Sequence, residues 1–379
     1  MRLDIDGRNC ELESGRSILD AVKKEGLDSI MLSDRPLAAQ IGGEVFNLRF
    51  TPKKDTQIHL LRYGEDMGRR VYERTLQFLF ILAMRKEFPR ARVCVRYSLG
   101  PGLFITVDGM EEPFNEEAAL KVETEMRRLV RLKLPLERRR ISIKEALSFY
   151  EQDGQADKAK LLKWRRFSYF DVYQIDGYMD YFYGEMAPDT SYADVFRVKY
   201  VHDGAVVLLM PRNDAPDVPS DYVDLPKLHA VFHQSDEWGK LMECATVNDL
   251  NTHIQNGTIR ELVRINEALH DRGYADIADK IVQKGAKAVL VAGPSSSGKT
   301  TSAHRISTQL RLQGCHPVML SLDDYYIDRD KIERDENGEI DLENINTLDI
   351  QRFGSDLAAL IRGEKVEVPR FDFTNGKRA

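Results

Sequence analysis

The chain has 379 residues, 42% of them hydrophobic, and a net charge of −6. That length suits two or three packed domains, and the acidic balance excludes a protein whose whole surface binds nucleic acid. Four cysteines without C-x-x-C spacing exclude a disulfide framework and a zinc ribbon, and no apolar run reaches the ~18 residues of a membrane span, so a cytoplasmic protein with no membrane partner is expected. The opening Met1-Arg2-Leu3-Asp4-Ile5-Asp6 has no apolar stretch of the kind an export signal needs.

Residues 2 to 6 alternate apolar and polar, Asp6-Gly7 signals a turn, and Cys10 and Leu12 resume the alternation, which predicts a β-hairpin. Ser17 with Asp20 three residues on predicts a capped helix whose apolar face is Ile18, Ala21 and Val22, ending near Gly26. Pro36 to Leu48 reads as strand, Gly42-Gly43 turn and strand, and Thr56 to Leu61 as another strand. Together these predict a small β-grasp unit over residues 1–64. The segment resembles a TGS domain, the ubiquitin-like module at the front of threonyl-tRNA synthetases, with Gly42-Gly43-Glu44 and Leu48 in the place of that family's "NGE…DL".

Tyr72, Leu76, Leu79, Phe80 and Ala83 share one face of a helix over 68–88, and Ala119, Val122, Met126 and Leu129 one face of a helix over 115–132. Ile143 to Tyr150, Lys158 to Leu162 and Tyr183 to Thr190 then resemble the second additional domain of threonyl-tRNA synthetase, assigned here to residues 65–225 with an α+β fold. In that family the block removes wrongly attached amino acids from tRNA with an H-x-x-x-H and a C-x-x-x-H. This chain has Tyr72 and Leu76, then Phe182 and Met186, at the corresponding positions. None of the four side chains suits a metal or an ester, so the resemblance implies binding, regulation or assembly, with editing hydrolysis as the remote alternative.

Arg138-Arg139-Arg140 and Lys163-Trp164-Arg165-Arg166 could track phosphates beside an aromatic stacker, making RNA a candidate partner of residues 1–225; interspersed Glu123, Glu125 and Glu137 favour a solvated face. Phe167 to Tyr173 and Tyr178 to Tyr183 read first as core strands and second as a stacking surface. Prolines and aspartates from Pro211 to Val223 show no periodicity, as in a connector, and residues 226–257 are taken as connecting chain. His229-x-x-x-His233 has metal-pair spacing but no obvious third ligand, so ordinary histidines are expected. Residues 258 to 284 predict one or two helices.

A C-terminal α/β unit, 258–379, is organised around Val289-Leu290-Val291 emptying into Gly293-x-x-x-x-Gly298-Lys299-Thr300, the pattern of a P-loop. In such a loop Gly293, Ser295, Ser296, Ser297, Gly298 and Thr301 bring backbone N–H groups to phosphates, Lys299 reaches the β- and γ-phosphates, and Thr300 offers a hydroxyl to Mg²⁺. ATP and Mg²⁺ are the cofactors this predicts. Pro317 to Leu322 reads as a second buried strand with Asp323 at its carboxyl end, where Asp323 would take a proton from an attacking hydroxyl or hold Mg²⁺ through water.

Gly293 to Thr301, Ser321 to Tyr326, Asp335 to Asp341 and Val368 to Phe373 resemble the uridine kinase branch of the phosphoribulokinase/uridine kinase family, and the whole order of units is similar to bacterial uridine kinases with this fused front end. The resemblance implies Lys299 and Asp323 as catalytic residues, with Tyr326, Asp341 and Phe371 on a nucleoside substrate. It departs at Gly376, which stands where the family has a base-reading histidine. The expected function is ATP-dependent phosphoryl transfer to a nucleoside 5′-hydroxyl. The alternative is a nucleotide-sensing, RNA-binding regulatory protein. Two strands where the family has about five parallel ones predict an incomplete kinase unit, a fragment of a longer chain.

Overall fold

The computed structural model describes residues 1–202, 204–332, 341 and 344–378, and these fall into two compact units, Met1–Thr252 and His253–Ala379. The chain is a mixed α/β protein with several small sheets. Among the described residues no helix is long and apolar enough to cross a membrane.

The first unit opens with the expected hairpin of β1 (Arg2–Ile5) and β2 (Arg8–Glu11), followed by α1 (Ile18–Lys24). Ser17 and Asp20 cap α1 reciprocally: the Ser17 Oγ accepts from the Asp20 N–H at 3.2 Å and the Asp20 carboxylate from the Ser17 N–H at 2.8 Å. Strands β3 (Ala38–Ile41), β4 (Glu44–Phe46) and β5 (Thr56–Leu61) complete a five-stranded sheet in the order β2-β1-β5-β3-β4, parallel at β1/β5 and antiparallel elsewhere. Ile18, Leu19, Ala21 and Val22 of α1 bury against Leu3, Ile5, Ile58 and Leu60 of that sheet.

Next come α2 (Asp66–Glu87), β6 (Arg92–Leu99), β7 (Gly102–Asp108), α3 (Glu116–Leu132), β8 (Glu137–Ser142), α4 (Ile143–Gln152), α5 (Ala156–Leu162), β9 (Tyr169–Ile175), β10 (Tyr178–Asp180), β11 (Arg197–His202) and β12 (Ala205–Leu209). One antiparallel sheet runs β11-β12-β7-β6 and another β10-β9-β8. Helix α2 carries charge at its two ends and is apolar on most sides from Leu76 to Met84, the stretch that is enclosed. Its Tyr72, Leu76, Phe78 and Phe80 sit in one core with Ile105 and Val107 of β7, Val122 and Met126 of α3, and Tyr173 of β9.

Polar contacts sew the opening sheet to this layer. The Arg35 Nη1 donates to the Asp194 carboxylate at 2.8 Å, the Asn47 side chain to the Met186 carbonyl at 2.7 Å, and the buried Tyr63 hydroxyl to the Pro211 carbonyl at 2.7 Å. The unpatterned connector expected from Pro211 onward is instead a ribbon of β13 (Pro211–Arg212) and β14 (Ala215–Pro219). Pro211 and Pro219 face each other at its end, where a missing N–H costs the ladder little. Two helices follow, α6 (Pro226–Leu241) and α7 (Val247–Asn256).

In the second unit α8 (Ile259–Gln283) and α9 (Lys299–Leu312) pack through Ala278, Ile306 and Leu310. Beyond them lie α10 (Ile350–Ile361) and the short pair β15 (Phe371–Asp372) and β16 (Lys377–Arg378). The strands expected at 288–292 and 317–322 are not formed. Val289, Leu290 and Val318 are 46%, 84% and 64% exposed, and a β-type run whose backbone has no ladder partner does not become a strand. Leu322–Tyr325 is a 3₁₀ turn instead, so the expected parallel sheet is absent among the described residues. Residues 335–340 of the Asp335 to Asp341 motif lie outside them.

Candidate functional site

The loop from Gly293 to Thr301 turns back on itself ahead of α9. Ser296 and Gly298 take left-handed φ values of 60° and 82°, and the Ser297 Oγ packs so close to Gly293 that a Cβ there would stand 2.7 Å from it and make the hydroxyl rotate away. The Pro294 carbonyl accepts from the Ser297 N–H at 3.3 Å and from the Lys299 ammonium at 2.8 Å. Gly298 is the N-cap of the fourteen-residue α9 and supplies no side-chain acceptor to its first turn. Ser295, Ser296, Ser297, Thr300 and Thr301 are exposed. Open backbone donors, a helix start and an adjacent ammonium are the chemistry that holds a phosphate.

Asp323 is exposed on the 3₁₀ turn, not at the end of a strand. Its neighbour Asp324 accepts from the Phe371 N–H at 3.4 Å, which brings the 371–373 segment to this turn. The rings of Tyr326 and Phe371 stand 5.5 Å apart, with Phe373 5.0 Å from Phe371, so two residues expected to share a substrate do meet. Tyr325 is buried and its hydroxyl donates to Asp356 at 3.1 Å, with burial pushing the phenol up to about 12. Asp341 is exposed and its carbonyl accepts from the Asn344 N–H at 3.2 Å.

In the first unit the four positions matched to editing side chains converge in one apolar core. Tyr72, Leu76 and Met186 are fully buried, and the half-buried Phe182 lies 5.3 Å from Phe78. The Arg74 Nε donates to the Glu185 carbonyl at 2.9 Å and the Ala187 N–H to the Thr75 hydroxyl at 3.0 Å, which holds the 185–187 segment against α2. Burial raises the Tyr72 phenol well above its ordinary value, so it stays neutral. Among the described residues no group of histidines, cysteines and carboxylates could hold a metal ion.

The sequence reading missed a third imidazole. His202 of β11 stands 5.3 Å from His229, which is 6.3 Å from His233. The Tyr97 hydroxyl lies 2.8 Å from the His229 Nδ1, and Phe232 stacks on Tyr97 at 4.1 Å. These contacts dock α6 on the sheet. Nothing in the local sequence around His202 signals this, because the cluster is assembled by tertiary packing alone.

The chain is similar to threonine–tRNA ligases. That of Clostridium kluyveri is 25% identical over 194 residues, 51% of this chain and 30% of the relative. Those of Carboxydothermus hydrogenoformans and Acetivibrio thermocellus are 27% and 28% identical over 175 and 160 residues, 44% and 42% of this chain and 26% and 24% of theirs. The chain thus spans under a third of the length of these curated relatives. No family model matches it. These relatives overturn the expected nucleoside kinase: they are enzymes whose names join threonine to tRNA, and none is a uridine kinase or phosphoribulokinase. The missing parallel sheet removes the scaffold on which that resemblance placed Asp323.

Proposed function

We propose that this chain binds RNA of the tRNA class without hydrolysing an ester on it, and that its 293–301 loop makes it responsive to a nucleotide. The observation that carries the reading is the close-packed core of Tyr72, Leu76, Phe182 and Met186, which fills the place of a hydrolytic constellation with side chains lacking a nucleophile, base or metal ligand. The similarity to threonine–tRNA ligases supplies the RNA class. The five-stranded sheet crossed by α1 supports a β-grasp identity for residues 1–64, with a synthetase-like unit over 65–225.

The exposed backbone of the loop and the neighbouring Lys299 support ATP as the nucleotide. Gly293, Ser295, Ser296, Ser297, Gly298 and Thr301 would surround the phosphates, Lys299 would supply countercharge, and the Thr300 hydroxyl would face Mg²⁺. Bound Mg²⁺ would screen the phosphates. Chain residues 258–378 would then act as the sensing half, and the nucleotide's effect on RNA affinity is a coupling free energy between two sites.

The test uses the full chain with threonyl- and seryl-tRNA. tRNA should be retained while the amino acid is lost no faster than in buffer alone. ATP with Mg²⁺ should shift RNA affinity, and Lys299→Ala should abolish that shift while leaving RNA binding intact. Ester loss that follows the chain would establish editing instead, and absence of tRNA binding would end the reading.

A further inference from the structure

We propose that the end of the β8-β9-β10 sheet is a binding surface for an unpaired RNA strand. The inference rests on the reading that the first unit contacts RNA, and it names where and in what form. β8 is an outer strand of that sheet and carries Arg138, Arg139 and Arg140 in succession, all exposed. Ser142 of β8 pairs with Tyr169 of β9, so the 163–168 turn arrives beside Arg140.

There cations and rings alternate. The Arg140 guanidinium sits 4.0 Å from the centre of the Tyr169 ring, Tyr169 lies 5.6 Å from Phe167, and the Arg165 guanidinium is 5.9 Å from Phe167 and 4.8 Å from Phe170. Phe170 is buried, but Phe167 is 60% exposed and adds little to the core. A ring this exposed within such a row is what an unstacked base can stack on. Arg140 and Arg138 share the Asp171 carboxylate, whereas the exposed Lys163 and Arg166 have no carboxylate at ion-pair distance among the described residues. Their charge is left for the phosphates of a strand that reaches this turn. A duplex keeps its base faces stacked and cannot use Phe167. An acidic peptide would meet the cations but leave the ring uncovered.

The test is fluorescence anisotropy of a labelled unstructured oligoribonucleotide of about ten nucleotides with the full chain at several salt concentrations. Phe167→Ala should weaken binding by about tenfold to a hundredfold with the salt slope unchanged, and Phe167→Trp should restore it. Lys163→Ala with Arg166→Ala should reduce the logarithmic salt slope by about one. A duplex of the same sequence and polyglutamate should both fail to compete. Binding by Phe167→Ala equal to wild type would overturn this surface and leave the broader RNA reading standing. Competition by polyglutamate as strong as by RNA would overturn it in favour of an acidic protein. No RNA bound by the wild-type chain would overturn both readings together.

Discussion

Tyr72 and Val195 are joined by a reciprocal pair of hydrogen bonds: the phenol donates to the Val195 carbonyl at 2.7 Å and accepts from the Val195 N–H at 3.0 Å. Tyr72 is thus tied into the core by both polar faces of its hydroxyl. Tyr72→Phe keeps the ring but strands both backbone groups, which should cost about 1–3 kcal/mol. The urea midpoint should fall with the slope unchanged. A midpoint equal to wild type would show that water reaches these groups.

His59 links two elements through opposite nitrogens, its Nδ1 2.9 Å from the Asp6 carboxylate and its Nε2 2.6 Å from that of Glu65. The Glu65 hydrogen bond raises the imidazole's affinity for a proton, burial opposes it, and Asp6 adds to the rise. A histidine raised in the folded state gives stability that is fully present below about pH 6.5 and is lost as pH climbs through its higher folded value. The contribution is modest because the ring is half exposed. Denaturation midpoints should therefore decline as pH rises above about 6.5 toward 9, and His59→Gln should flatten the decline.

His229 behaves in the opposite sense. Burial lowers its proton affinity first, His202 and His233 lower it further, and Asp224 works against them. The groups around it are Tyr97 and Phe104 from the sheet, His202 from β11 and His233 on its own helix, with Asp236 of α6 3.9 Å from Arg96. Stability from a depressed histidine is present above about pH 6.5 and is lost as pH falls through the folded value. Acidification should loosen α6, seen as a shift in Trp238 emission in a Trp164→Phe background. His229→Phe should move that transition to lower pH; an unchanged midpoint would remove His229 as its cause.

Local chemistry made much of the fold legible. The Ser17–Asp20 box marked the start of α1, and apolar spacing marked α2 and α3 to within two residues. The aromatic stretch divided as its packing required: Phe170 and Tyr173 went inward, while Phe167 and Tyr183 stayed 60% and 76% exposed. Pattern failed where it specified residue type but no partner. Val289 to Val291 and Val318 to Leu320 have strand chemistry, yet no neighbouring strand accepts them among the described residues. The meeting of His202 with His229 joins distant parts of the chain and leaves no local trace.

The seam formed by Arg35, Asn47 and Tyr63 bears on how the first unit comes apart. Each of these side chains ends on an acceptor more than a hundred residues away, and the Tyr63 hydroxyl does so where water is excluded. Peeling the opening sheet from the layer behind it would strand those donors and expose Ala38 and Leu61, which share the core of α2, so the two should melt in one transition. A proteolytic nick near Gly64 would then leave two pieces that stay together through gel filtration and separate only in denaturant, behaving as complementing fragments of one folding unit.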